Sequence, residues 1–299
     1  MRVLVTGAAG FIGSHLTRAL IRLGFRVVAL DDLSGPGDWS HLEGVDLERV
    51  EGDISQSLPV EGPIGAVFHQ ASLTDTTDLN RERMFEKNCG GFLSLLEHAL
   101  SWKAPLVWAS SASVYGNRTP PQGVGDRSYP LNPYAESKSA MEDDAKRFCK
   151  AHPELTVVGL RYFNVFGKRE EKKGASASMV SRICRQTRHG EVRLFEGGDQ
   201  TRDFVPVESV VDANIAAVTG HQDGGFHLYN VGTGWATSFN EVVEIASRVI
   251  GKASVSYFPC PFPFFQEATQ ADLSHSIPGW NPVQPLAYIT KRARDERER

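Results

Sequence analysis

Residues 1–32 constrain this chain more than any other stretch. Arg2-Val3-Leu4-Val5-Thr6 is a short β-branched run that reads as a buried strand, and it passes directly into Gly7-Ala8-Ala9-Gly10-Phe11-Ile12-Gly13. A helical apolar periodicity follows from about Gly13 to Leu23 and stops at Gly24. Arg26-Val27-Val28-Ala29-Leu30 is then a second strand, ending on the carboxylates of Asp31 and Asp32. Strand, glycine turn, helix, strand and acid, in that order, make a unit that binds a dinucleotide. The glycines let backbone approach a pyrophosphate at the helix N-terminus, where free N–H groups and the helix dipole favour negative charge. The terminal acid can accept from the adenosine ribose. Gly7, Gly10, Phe11, Ile12, Gly13, Asp31 and Asp32 are therefore expected along the cofactor, although the glycines run G-x-x-G-x-x-G instead of G-x-G-x-x-G.

The paired acids also bear on which dinucleotide is used. A ribose 2′-phosphate would lie close to Asp31 and Asp32, and no Arg or Lys follows them in the chain until Arg49. NAD is expected on that ground, with NADP as the alternative, because a loop can bring in a distant base.

Further apolar runs extend the alternation: Leu47 to Asp53, Gly65 to Ala71 and Pro105 to Ala109 read as strands, and about Arg83 to Trp102 as a helix. Continuous apolar strands suit a sheet covered on both faces, so the expected fold is α/β, a doubly wound parallel (Rossmann) sheet with ligands at the carboxyl ends of its strands. Asp53 could accept from the adenine amine or simply cap a turn. His69 precedes a small-residue stretch where the cofactor would pass, although a satisfied strand-end histidine is the simpler reading. Ile54, Gln70, Ala71, Ser72, Asn88 and Val165 complete the expected cofactor wall.

Asn132-Pro133-Tyr134-Ala135-Glu136-Ser137-Lys138 places a phenol and an ammonium four residues apart at the start of a helix, where they share a face. Pro133 suits a first turn, since its missing N–H costs nothing there. A free tyrosine, with a pKa of about 10, is a poor base at neutral pH, and a nearby ammonium favours its phenolate. Upstream, Ser110-Ser111-Ala112-Ser113-Val114-Tyr115-Gly116 follows a strand, so the Ser111 hydroxyl and the Tyr134 phenol can converge on one substrate hydroxyl.

With Gly7 to Gly13, Ser111 to Gly116 and Tyr134 to Lys138 in this order, the chain resembles the extended short-chain dehydrogenases/reductases. The resemblance implies that Ser111 positions the substrate and that Tyr134 is the acid/base. It also implies that Lys138 binds the nicotinamide ribose and lowers the tyrosine pKa. Leu194 to Val205 resembles the segment with which nucleotide-sugar epimerases hold the diphosphate and sugar. Arg202 is the best candidate for the diphosphate, because a guanidinium can contact phosphate oxygens bidentately; the bland alternative is a surface ion pair with Asp199 or Asp203.

Within those epimerases the similarity is to the ADP-L-glycero-D-manno-heptose 6-epimerases, which supply a lipopolysaccharide precursor. It is carried by Arg161 to Gly167, Arg169-Glu170, Lys173-Gly174, Phe195-Glu196-Gly197, Arg202 to Val205, Asn230 to Gly234 and Thr269 to Leu273. It implies a nucleotide-sugar substrate, a homo-oligomer, and substrate contacts from Ser111, Asn164, Arg182, Phe195, Glu196, Gly197, Arg202 and Phe265. Lys173 takes the position of a second acid/base group; its bland alternative is one more loop lysine beside Lys168 and Lys172. Ala175, Arg182 and Phe265 depart from the pattern, which expects serine, histidine and tyrosine there. A UDP-sugar 4-epimerase remains an alternative. A 4,6-dehydratase would place an Asp-Glu pair where Ala112-Ser113 stands, and a non-catalytic NAD sensor would be expected to have lost Ser111, Tyr134 or Lys138.

The expected organisation is a dinucleotide-binding domain over residues 1–166, with 203–232 returning to it, and a smaller, discontinuous substrate lobe from 167–202 and 233–299. Phe258 to Phe265 reads as a loop that stacks on the base or seals the core, and Lys291 to Arg299 as a frayed, solvated end. With 41% hydrophobic and 23% charged residues and a net charge of −4, the composition carries no nucleic-acid footprint. Cys89, Cys149, Cys184 and Cys260 have no metal-ligand spacing, so no metal is expected and reduced thiols of a cytoplasmic protein are. Neither a signal peptide nor a membrane span is read from the sequence.

Overall fold

The computed structural model describes residues 1–221, 223–259 and 266–299, with only the backbone of Ala175 and Glu196. Phe265 and Cys260 lie outside the described residues.

The opening unit is β1 (Arg2–Thr6), α1 (Phe11–Arg22) and β2 (Arg26–Asp31), followed by β3 (Glu48–Glu51) and β4 (Val67–His69). The helix read over Arg83 to Trp102 is two helices, α2 (Arg81–Cys89) and α3 (Phe92–Trp102). They part at Gly90 and Gly91, where the backbone passes so near the preceding loop that a Cβ on Gly91 would lie 2.0 Å from the Ile54 carbonyl oxygen. Then come β5 (Leu106–Ser111), α4 (Pro133–Ala151), β6 (Thr156–Tyr162), β7 (Asn164–Phe166), α5 (Met179–Arg188), β8 (Glu191–Phe195) and β9 (Thr201–Pro206). The chain continues through α6 (Val207–Thr219), β10 (Gly225–Val231), β11 (Ala236–Ser238), α7 (Phe239–Val249), β12 (Ser254–Phe258) and α8 (Pro285–Arg297).

Seven strands form one parallel sheet in the order β10-β6-β5-β4-β1-β2-β3. The period of two along each strand feeds two cores. Val3, Val5, Val27 and Ala29 face the layer built with Leu16 and Leu20 of α1 and Val210 and Ala213 of α6. Leu4, Val28 and Leu30 face the opposite layer, with Phe92 and Leu96 of α3 and Met141 and Ala145 of α4. This is the doubly wound α/β arrangement the runs predict. A third core gathers Val180 and Ile183 of α5, Val192 and Leu194 of β8, Val242 and Ala246 of α7, and Ile289 and Ala293 of α8.

The charged end expected to fray is helical to Arg297. Arg292 is 3% exposed and Glu296 1% exposed; Arg292 Nη1 donates to Glu296 Oε2 at 3.0 Å, and Arg188 Nε stands 3.3 Å from Glu296 Oε1. Charge density suggested solvent, but these charges neutralise one another beneath an apolar helix face.

Candidate active site

The glycine turn is held by backbone packing. Gly7 has φ +67°, where a side chain is strained, and a Cβ there would come within 2.6 Å of the Ala71 nitrogen. A Cβ on Gly13 would lie 2.0 Å from the Gly7 carbonyl oxygen. Gly10 begins α1 without a side-chain cap, and no acid occupies the first turn, so the N-terminal N–H groups are available to an anion. These two features fit a dinucleotide pyrophosphate.

A cleft runs from this turn, walled by Gly7, Gly10, Phe11, Ile12, Gly13, Asp31, Asp32, Asp53, Ile54, Gln70, Ala71 and Ser72. Lys87, Arg169, Lys172 and Lys173 line it as well. Asp31 braces the turn, accepting from the Ala9 and Leu33 amides at 2.9 Å each; burial pushes its carboxyl up while those amides work the other way. Asp32 accepts from the Ser34 amide and hydroxyl. The reading that no base stands near the acids is corrected: Lys87, on α2, is 3.8 Å from Asp32 Oδ2 and bonded to Asp53. Burial works to raise the Asp53 carboxyl, but the bonds from Lys87 and Ser55 hold it below the usual range. Chain distance concealed Lys87, because α2 folds back across the ends of β2 and β3.

Asn88 and Val165 are absent from the described cleft wall. Buried Asn88 ties loop to helix, accepting from the Leu73 amide at 2.8 Å and donating to the Ser137 hydroxyl of α4 at 3.0 Å. Ser72 also donates to it, at 3.1 Å. Val165 packs against the first core beside β9. Gln70 donates to Asn214 at 3.0 Å and accepts from Tyr162 at 3.1 Å.

Asn132 caps α4 by accepting from the Ala135 amide at 2.8 Å, and Pro133 occupies the first turn. This fixes Tyr134 one turn from Lys138. Lys138 is buried, donates to the Ala109 carbonyl of β5 at 2.8 Å, and lies 5.8 Å from the Tyr134 ring centre. Burial pushes its ammonium down to about 8, with Cys89 and Glu142 acting in the opposite sense. Ser111, at the end of β5, lies near enough to the Tyr134 hydroxyl to favour its phenolate. The Tyr134 pKa moves the opposite way from the sequence expectation: burial raises it, and Ser111 offsets only part of that rise. One turn beyond Lys138, Glu142 accepts from Ser110 at 2.6 Å and from Arg161 Nε and Nη2 at 2.8 and 2.6 Å. Helix and strand are thereby locked together. His69 bonds Thr6 Oγ1 through Nδ1 at 2.7 Å, and burial, then Lys138, push it down to about 3.

Lys173 and Lys172 diverge. Lys172 points to Asp38 and Ser40, whereas Lys173 is half-buried with its Nζ 5.0 Å from the Phe11 ring centre. Burial lowers the Lys173 ammonium, and Glu170 works against that shift.

Arg202 donates to the carbonyls of Thr201 and Glu267, at 2.8 and 3.2 Å, and lies 5.5 Å from the Phe239 ring centre. Among the described residues it pairs with neither Asp199 nor Asp203, and burial pushes its guanidinium down to about 10. Asp203 instead accepts from Thr233, Gly234 and Ala271. Asn164 donates to Thr269 Oγ1 at 3.2 Å, and Phe195 meets Phe239 and Phe258 edge-on. Gly197 has φ +72° in the turn that precedes β9, beside Glu196. Arg182 lies half-buried on α5.

Three comparisons bear on this arrangement. ADP-L-glycero-D-manno-heptose-6-epimerase of Alkalilimnicola ehrlichii is 36% identical over 289 residues, 91% of this chain and 89% of that protein. The crystal structure of the Helicobacter pylori ADP-L-glycero-D-manno-heptose-6-epimerase superposes with a TM-score of 0.87 at 36% identity, covering 99% of this chain and 96% of that one. A UDP-glucose-4-epimerase from Stenotrophomonas maltophila, with bound NAD and formylated UDP-arabinopyranose, gives a TM-score of 0.87 at 26% identity over 100% and 98% of the two chains. Residues 3–232 match a family model, and this chain belongs to the NAD dependent epimerase/dehydratase family.

Proposed function

We propose that this protein epimerises a nucleotide sugar by transient oxidation, and that its substrate is an ADP-glycero-manno-heptose inverted at C6. The observation that carries the reading is the Lys138 ammonium, buried and 5.8 Å from the Tyr134 ring centre, with Ser111 at the end of β5 acting on the same phenol. Bound NAD would supply the reversible hydride acceptor for the sugar carbon. Gly7 to Gly13 would hold its pyrophosphate and Asp31 and Asp32 its adenosine end, while Lys138 would bond the nicotinamide ribose. Ser111 would orient the sugar hydroxyl and Tyr134 would take its proton.

Inversion asks more of the protein. The ketone must present its other face, which swings its oxygen away from Tyr134, and a second group must then protonate it. Lys173, half-buried and with a lowered pKa, is suited to that task. Arg202 would hold the diphosphate, with Asn164, Arg182, Phe195, Glu196, Gly197 and Phe265 around the sugar and nucleotide. The cofactor would occupy a domain of 1–166 and 203–232, the sugar a lobe of 167–202 and 233–299, in a homo-oligomer. A UDP-sugar 4-epimerase is the second reading, favoured by Ala175, Arg182 and Phe265 where the heptose enzymes have other residues.

The test is mass spectrometry and NMR of products after incubation with ADP-heptose, UDP-galactose and related sugars. ADP-heptose inverted at C6 is the expected product. Conversion of UDP-galactose with ADP-heptose untouched would replace it by the second reading.

A further inference from the structure

Glu170 is a carboxylate, 1% exposed, that makes no ion pair among the described residues. Its oxygens are met instead by neutral donors at the two ends of one loop. Oε1 accepts from the Gly167 amide at 2.9 Å, the Ser178 hydroxyl at 2.9 Å and the Ser181 hydroxyl at 2.7 Å; Oε2 accepts from the Ser178 amide at 2.6 Å. Its own carbonyl accepts from the Lys173 amide at 3.1 Å. Burying a charge without a cation is costly, and such a carboxylate endures where its acceptors organise something else. Here they close the neck of the loop that carries Lys173, joining the end of β7 to the start of α5.

The neck is backed by α8. Arg292 Nε lies 3.1 Å from Ser181 Oγ, and Arg292 is itself paired with buried Glu296. At the loop's outer edge Lys168 pairs with Asp295 at 3.0 Å, and Lys172 with Asp38. A lysine on an unfastened loop would sample many positions. This one is presented over Phe11 from a frame whose joints are Glu170 and Arg292.

We infer that Glu170 is the positioning residue of Lys173: it closes the 167–178 loop and, through Ser181 and Arg292, makes the C-terminal helix part of the proton-delivery apparatus. This rests on the proposed role of Lys173 and adds what places it. The functional consequence is selective, because Tyr134 is anchored separately on α4. Loss of the neck should impair inversion and spare hydride removal.

The experiment uses the holoenzyme with ADP-heptose and the variants Glu170→Gln, Ser181→Ala and Lys173→Met. Hydrogen exchange of the 168–178 amides is read together with kcat and KM for epimerisation and the single-turnover appearance of reduced cofactor. For Glu170→Gln, exchange should rise roughly tenfold or more and epimerisation kcat fall about 10²-fold, while KM and hydride removal stay within about threefold. Ser181→Ala should show the same split at roughly three- to tenfold. If Glu170→Gln does not fold, Ser181→Ala decides alone, and unchanged exchange and inversion in it overturn the proposal. So does a Glu170→Gln enzyme that loses both half-reactions in step, or neither. Inversion that survives Lys173→Met would instead sink the second-base reading. Crippled Lys173→Met beside an unaffected Glu170→Gln would remove the Glu170 assignment alone.

Discussion

The two groups proposed to move protons stand on very different supports. Tyr134 rides on α4, a helix of nineteen residues whose inner face is in the second core and whose next turns are bonded to Asn88, Ala109 and Arg161. Lys173 rides on a short 3-10 segment, Glu171–Ser176, fixed by one buried carboxylate and by ion pairs at the surface. The first support is regular structure with a sealed underside. The second is a loop tied at its ends. A base that acts on the substrate as bound needs only a fixed position, whereas one that meets a turned ketone must leave that ketone room to turn.

The sharpest way to break this contrast is to remove the first base. Tyr134→Phe should lower kcat by about 10² to 10⁴ with NAD binding, followed by fluorescence titration, nearly intact. Near wild-type turnover would mean that α4 carries no acid/base group. Next in size is the support itself: Glu142→Gln leaves Arg161 buried beside a neutral partner and should cost about 3 kcal/mol or more in urea unfolding. A loss below about 1 kcal/mol would show that helix and strand are held by packing alone.

The loop is tested by its two adjacent lysines. Lys173→Met should slow epimerisation by about 10² and Lys172→Met by no more than about threefold. Equal, small losses would leave Tyr134 as the only base. A smaller effect distinguishes the regions by pH. His69, the last residue of β4 and near Lys138, has a folded pKa of about 3 against a free value of 6.5. Between those values the unfolded chain takes up a proton and the folded one does not, so stability is fully present above pH 6.5 and falls as the solution is acidified. Its share of the slope should approach about 1.4 kcal/mol per pH unit, added to that of His15, which burial pushes down to about 4, and His69→Asn should remove that share in melts at neutral and mildly acidic pH. Smallest of all, the exposed Lys172–Asp38 clasp should change stability by less than about 1 kcal/mol and weaken further with salt.

What was legible in the sequence follows the same division. The glycine turn, the alternating strands and the Tyr134–Lys138 pair all depend on short-range periodicity, and they lie where that periodicity places them. Lys87 beside Asp32 and Asp53, the break between α2 and α3, and the buried Arg292–Glu296 pair depend on what the fold brings from elsewhere. The direction of the Tyr134 shift was misread for a related reason. A neighbouring ammonium is visible in a sequence, whereas the desolvation that raises the Tyr134 pKa is a property of the assembled interior.

The glycine turn also limits how this protein could be repaired after mutation. At Gly13 an added methyl would strike the Gly7 carbonyl oxygen, which is backbone, so no change of side chain elsewhere can clear the space. At Gly167 the worst clash is with Cγ1 of Val207, 2.5 Å away, and shortening that valine would leave only its Cβ, at 3.2 Å, a contact that a shift of a few tenths of an ångström relieves. A selection for suppressors should therefore recover Gly167→Ala through Val207→Ala and return only true revertants of Gly13→Ala. One seam of the site could drift along a lineage by paired exchanges, while the other would stay fixed in every descendant that keeps the activity.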